Sequence, residues 1–280
     1  LKLLIIGSKK RRKTDSAILK CARNHFDKVL HTPITKIVIE SGENGVVPLL
    51  GKKNLLEYDV VLVRVEKEYM EVGYVLAKIF EDNGKYMPTN YKAILLGSSE
   101  FLVPVYFGLK KNGIKSPRTY FASSKDAIVQ NFENFNYPIT VKLPYQKDGA
   151  MTVDSKESAI GVIDTMEKLD QPILIQESVK DSEKIRVLVA GKKAYALKND
   201  AAFALSESDE NAILETARKI GADICQLYAA VNENKLFVYG INIAPKMMIF
   251  ETVFGEGVIN GAMKGLRENA DMHFAKNNIQ

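Results

Sequence analysis

Two runs, Leu3-Leu4-Ile5-Ile6-Gly7 and Val60-Val61-Leu62-Val63, are apolar at consecutive positions rather than at alternate ones. A strand with one wet face alternates, so an unbroken run marks a strand covered on both faces, as in the middle of a parallel sheet. The opening Leu1–Gly7 is too short for a signal peptide, and its basic residues follow rather than precede it, so it reads as a buried first strand. A further apolar run lies near 35–40, and helical patterns cover 15–26 and 68–82, the second stopped by Asn83-Gly84. Strands alternating with helices predict an open α/β first domain over residues 1–97.

Ser98-Ser99 reads as the cap of a helix running to Lys111 and closing at Asn112-Gly113. Strands near 118–122, 138–143 and 150–154, with helices near 124–135 and 155–168, predict a small α+β unit over 98–171. The last unit, 172–280, opens with a strand at 172–179 and a hairpin at 185–198 turning at Gly191-Lys192-Lys193. A helix at 208–220 follows, then a hairpin of 224–231 with 235–243 turning at Asn232-Glu233-Asn234, and a helical tail after 255.

At 280 residues, 46% hydrophobic and 26% charged, the chain has room for such a fold without staples. Cys21 and Cys225 stand alone, which argues against a disulfide framework or a structural zinc site and suits a reducing cytoplasm. No apolar run approaches the ~20 residues that span a bilayer, so no membrane partner is expected. A net charge of +5 is compatible with nucleic acid without requiring it, and homo-oligomers remain open.

Several stretches then occur in a telling order. Asp59 to Val65 is followed by Gly73, Leu76, Phe80-Glu81 and Gly84. Leu109–Thr119 follows, with Gly113-Ile114 and Pro117, then Tyr137-Pro138-Ile139-Thr140-Val141-Lys142. Ile173–Val179, Ile185–Gly191, and Asn242, Pro245, Glu251 and Gly255 complete the series. In this order they resemble the ATP-grasp superfamily, and within it the RimK-type amino-acid (glutamate) ligases, over nearly the full chain. The resemblance implies a Rossmann-like pre-ATP-grasp domain and two α+β lobes enclosing a nucleotide cleft, with ATP as cofactor and magnesium bridging its phosphates. It also implies the chemistry: a carboxylate attacks the γ-phosphate, and an amine displaces phosphate from the acylphosphate to leave an amide.

On that resemblance Lys142 contacts ATP phosphates, although an outward-facing strand lysine is the plainer reading. Gln176, Glu177, Ser178 and Val179 form the adenine hinge, where backbone groups matter more than side chains, or simply a strand leaving its sheet. Arg186 holds a phosphate or a substrate carboxylate, or serves equally as a structural ion-pair partner.

The chain departs from the family in one cleft. The segment Pro144–Met151 has one glycine where a phosphate cradle has several. The family's two metal carboxylates correspond to Tyr228 and Gly240, which leaves the neutral Asn242 as the metal ligand. Asp223, five residues before Tyr228, falls on the opposite face of a regular strand. Lys184 and Leu102 replace a family aspartate and lysine, and the loop Asn199–Glu207 is short. Three functions follow as expectations. The first is a degenerate, nucleotide-binding descendant of a carboxylate–amine ligase. The second is an active ligase with rerouted metal ligands, Glu177 or Glu251 with Asn242. The third is a module that binds an acidic small molecule, phosphate or RNA backbone through Lys9-Lys10-Arg11-Arg12-Lys13 and Arg64, where open α/β sheets place their crevice. A solvated loop is the plainer reading of that basic run. His25, His31 and His273 form no motif.

Overall fold

The structure, a computed structural model, describes residues 1–43, 45–110, 115–143, 150–167, 171–232 and 235–277. Strand β1 (Lys2–Gly7) leads through α1 (Lys13–Ala22) to β2 (Lys28–Pro33). A small antiparallel sheet of β3 (Ile37–Gly42), β4 (Gly45–Leu50) and β5 (Lys53–Asn54) precedes β6 (Val60–Arg64) and α2 (Met70–Asp82). Next come α3 (Tyr91–Ser98), α4 (Leu102–Lys110), β7 (Thr119–Ala122), α5 (Lys125–Val129), β8 (Ile139–Lys142), β9 (Met151–Val153), α6 (Lys156–Glu167) and β10 (Ile173–Glu177). The chain ends with β11 (Glu183–Ala190), β12 (Lys193–Lys198), β13 (Ala201–Phe203), α7 (Glu207–Ile220), β14 (Ile224–Asn232), β15 (Lys235–Asn242), α8 (Met247–Phe254) and α9 (Val258–Asn277).

The chain divides into two compact units. One comprises 1–97, 185–227 and 241–280; the other comprises 98–184 and 228–240. In the first, β2-β1-β6 form a parallel sheet, with Ile5 in register with His31 on one side and Leu62 on the other. Leu3, Leu4, Ile5 and Ile6 are fully buried, as are Val60 to Val63, which fits the unbroken apolar runs. Each such side chain contributes roughly 1.5–3 kcal/mol of transfer free energy. One face of this sheet packs with Ile18 and Ala22 of α1 and with Ile259, Ala262, Met263 and Leu266 of α9. Leu188, Leu197 and Ile224 join the same core, so the N-terminal sheet and the C-terminal hairpin share one apolar interior.

In the second unit, β7-β10-β8-β9 form an antiparallel sheet. Ile139, Val141, Ile173 and Ile175 pack on its covered face with Ile163 of α6 and with Phe132 and Phe135. In the first unit, β12 pairs antiparallel with β11 on one side and β13 on the other. The β12–β13 turn places Asn199 and Asp200 at positive φ, 48° and 63°, as a two-residue hairpin turn requires.

The fold is the expected ATP-grasp arrangement of a parallel N-terminal sheet and antiparallel lobes. Boundaries differ in places. One helix was expected from Ser98-Ser99 to Lys111; instead α3 ends at Ser98 and α4 begins at Leu102. The closure at Asn112-Gly113, the loop Pro144–Gly149 and the tip Glu233-Asn234 lie outside the described residues. Among the described residues no helix is long and apolar enough to cross a membrane.

Candidate functional site

Lys142 ends β8, paired with Leu174 of β10. Val141 and Leu143 on either side of it point into the core, so the Lys142 side chain leaves the opposite face. Only 13% of that side chain is exposed, and its Nζ donates to Glu100 Oε2 at 2.6 Å. Burying an ammonium without an anion is costly, so this partner is physically required. Sequence reasoning missed Glu100, which lies 42 residues from the cation it neutralises.

The hinge residues leave β10 in the same unit. Gln176 is buried, and its Nε2 donates to Thr119 Oγ1 at 3.2 Å. Glu177 accepts from the Asn136 backbone N–H and from Asn136 Nδ2, both at 3.0 Å, with Arg118 Nη1 at 3.5 Å. The Ser178 N–H donates to the Pro138 carbonyl at 3.1 Å, and Ser182 Oγ donates to the Val179 carbonyl at 2.6 Å. Asn232 Nδ2 closes the following turn by donating to the Lys180 carbonyl at 2.5 Å. The hinge backbone is thus held by specific hydrogen bonds.

Tyr228 and Gly240 lie on β14 and β15. A Cβ on Gly240 would come within 3.2 Å of Tyr228 Cδ2, so the glycine is what allows the ring to lie against this strand. The Tyr228 and Tyr239 rings are 6.3 Å apart. Burial, with Tyr228 and Glu100 close by, pushes the Tyr239 hydroxyl up to about 12.

In the other unit, Asn242 turns its side chain onto its own loop, where Oδ1 accepts the Ala244 N–H at 2.9 Å. Arg186 is ion-paired with Asp200 of the β12–β13 turn, the structural alternative weighed for it. Both Glu251 oxygens accept backbone N–H groups, from Gly257 at 3.1 Å and from Ile259 at 2.8 Å, which ties this carboxylate to the start of α9. Asp223 accepts a hydrogen bond from the Tyr86 hydroxyl; burial pushes its carboxyl up against the downward pull of Tyr86 and Asn269. Among the described residues, no three His, Cys, Asp or Glu side chains gather as a metal site would need.

The basic run separates into two kinds of residue. Lys9, Lys10, Arg11 and Lys13 are exposed, and Arg11 Nη2 lies 3.5 Å from His31 Nδ1. Arg12 bonds Asp15 at 3.1 Å and donates to the Arg64 carbonyl at 2.9 Å. Arg64, the neighbouring-strand member of the expected crevice, is ion-paired with Asp15. It is fully buried, with Nε on Asp15 Oδ1 at 3.0 Å and Nη2 on the Pro245 carbonyl at 2.9 Å. Burial pushes the Asp15 carboxyl up, but the charges and hydrogen bonds of Arg64 and Arg12 outweigh it and hold it below the usual carboxylate range. Arg64 therefore anchors the loop that carries Asn242.

Comparison with known proteins agrees with this architecture. A probable alpha-L-glutamate ligase of Shewanella loihica is 27% identical over 259 residues, which covers 85% of this chain and 85% of that one. A RimK-domain ATP-grasp protein from Sphaerobacter thermophilus superposes with a TM-score of 0.71 at 15% identity, over 95% of this chain and 98% of that one. The ATP-grasp ligase PsnB, solved with a minimal precursor, Mg and ADP, gives a TM-score of 0.70 at 11% identity, over 97% of this chain and 96% of that one. These two structures share the fold. Residues 107–263, more than half of the chain, match the family model of the RimK-like ATP-grasp domain, and the chain belongs to that family.

Proposed function

We propose that this chain is a nucleotide-binding descendant of an ATP-dependent ligase that joins an amine to a carboxylate, with metal-assisted phosphoryl transfer weakened or lost. The single observation that carries this reading is the Tyr228 ring lying against Gly240, where the family resemblance calls for carboxylates. Magnesium takes hard oxygen ligands, with carboxylates supplying most of the charge. A phenol and a glycine supply no such ligand. Neither proposed replacement is well placed to help. Glu177 is held by Asn136, and Glu251 by the backbone of Gly257 and Ile259. The active ligase with rerouted ligands is therefore the weaker reading.

A nucleotide fits better. Lys142 is a largely enclosed ammonium that already accommodates anionic oxygen, and the hinge backbone at Glu177–Val179 is pre-organised by its hydrogen bonds. The relative named as a glutamate ligase supports an acidic amino acid or peptide as the second ligand, and the exposed Lys9, Lys10, Arg11 and Lys13 suit such a charge. Calorimetric titration with ATP tests the nucleotide assignment. Lys142→Ala should weaken binding by about tenfold or more, the worth of one charge-assisted hydrogen bond of roughly 1.5–3 kcal/mol. Unchanged affinity in this variant would remove Lys142 from the site.

A further inference from the structure

The contact between Lys142 and Glu100 joins two unequal partners. The lysine side chain is 13% exposed and the glutamate 42%. Glu100 lies in the short break between α3 and α4, and its neighbours fix that break. Ser99 is buried, and Phe101 stacks on Phe121 with ring centroids 4.0 Å apart and planes 24° from parallel. The backbone therefore delivers a carboxylate to a cation that the nucleotide reading assigns to phosphate.

We propose that Glu100 is an internal anion that occupies Lys142 when no nucleotide is bound and sets the affinity at which phosphate can replace it. This rests on the nucleotide-binding reading of Lys142. Carboxylate and phosphate oxygens are both acceptors for the same ammonium donors. The exchange has a direction because the partners differ in burial. Glu100 is open enough to be rehydrated when released, whereas Lys142 is too enclosed to stand without an anion. A phosphate that reaches Lys142 while Glu100 stays in place meets like charge, so the carboxylate opposes nucleotide in either case. The Phe101–Phe121 stack holds the break, so the release needs only a side-chain rotation.

The test is calorimetric titration of ATP into the parent chain, Glu100→Gln, Lys142→Ala and the double variant. Glutamine keeps an acceptor for the ammonium and removes the charge. Glu100→Gln should tighten ATP binding by about tenfold, a modest effect for a close charge pair. The gain should vanish when Lys142 is alanine, because the two residues act on each other. Thermal melts with and without ATP give a second readout, in which ATP should stabilise Glu100→Gln more than the parent. Equal affinities for the parent and Glu100→Gln, with Lys142→Ala weaker, would overturn the role of Glu100 and leave the nucleotide reading standing. No ATP binding by either the parent or Glu100→Gln would overturn both.

Discussion

Asp15→Ala should lower stability by about 3–5 kcal/mol, because it leaves Arg64 buried and uncompensated. In a thermal melt that loss is a fall of roughly 10 °C for a chain of this size. The sign with pH follows from the depressed Asp15 carboxyl. A group whose folded pKa lies below its unfolded value, ordinarily ~3.9 for aspartate, contributes its full stability above that value. The contribution is lost as pH falls through the folded value. Asp15→Asn should therefore show a shallower acid-side loss than the parent. The effect also reaches the candidate site, since the guanidinium that Asp15 orients holds the Pro245 carbonyl beside Asn242. A melt of Asp15→Ala within a degree or so of the parent would show that the pair is dispensable.

The second large effect comes from placing carboxylates at Tyr228 and Gly240. Gly240→Glu alone should destabilise the chain by about 1–3 kcal/mol, because its Cβ meets the Tyr228 ring at 3.2 Å. Tyr228→Asp removes that ring, so the double variant should recover most of the loss. The double variant should gain a magnesium response in ATP binding of at least about tenfold, as expected when hard anionic ligands are supplied. Calorimetry with and without magnesium reads this directly. A double variant that folds and shows no magnesium response would mean that these positions are not where the metal belongs.

Much of the scaffold is legible from local pattern. The runs in β1 and β6 are apolar at consecutive positions because both faces of their sheet are covered. The helix 207–220 announces itself with the Ser206 cap, whose hydroxyl accepts the Asp209 N–H, and with Gly221 in the left-handed conformation at φ 79°. What escaped was set by contacts distant in sequence. Ser98-Ser99 reads as the start of one helix, yet α4 begins only at Leu102, as Glu100 turns to Lys142 and Phe101 to Phe121. Arg64, at the end of an apolar run, looks like a crevice charge, because nothing nearby in sequence reveals that Asp15, 49 residues away, encloses it. The positions of Tyr228 and Gly240 were readable only by resemblance; that the ring and the glycine are neighbours required the structure.

The most direct test of the central claim is titration of ATP into the unmodified chain, with magnesium and with chelator. The expected result is binding whose affinity changes by no more than about twofold between the two conditions, since no carboxylate pair stands at Tyr228 and Gly240 to take the ion. Tightening by magnesium of about tenfold or more would contradict it, and would mean that other oxygen ligands have rebuilt the metal site.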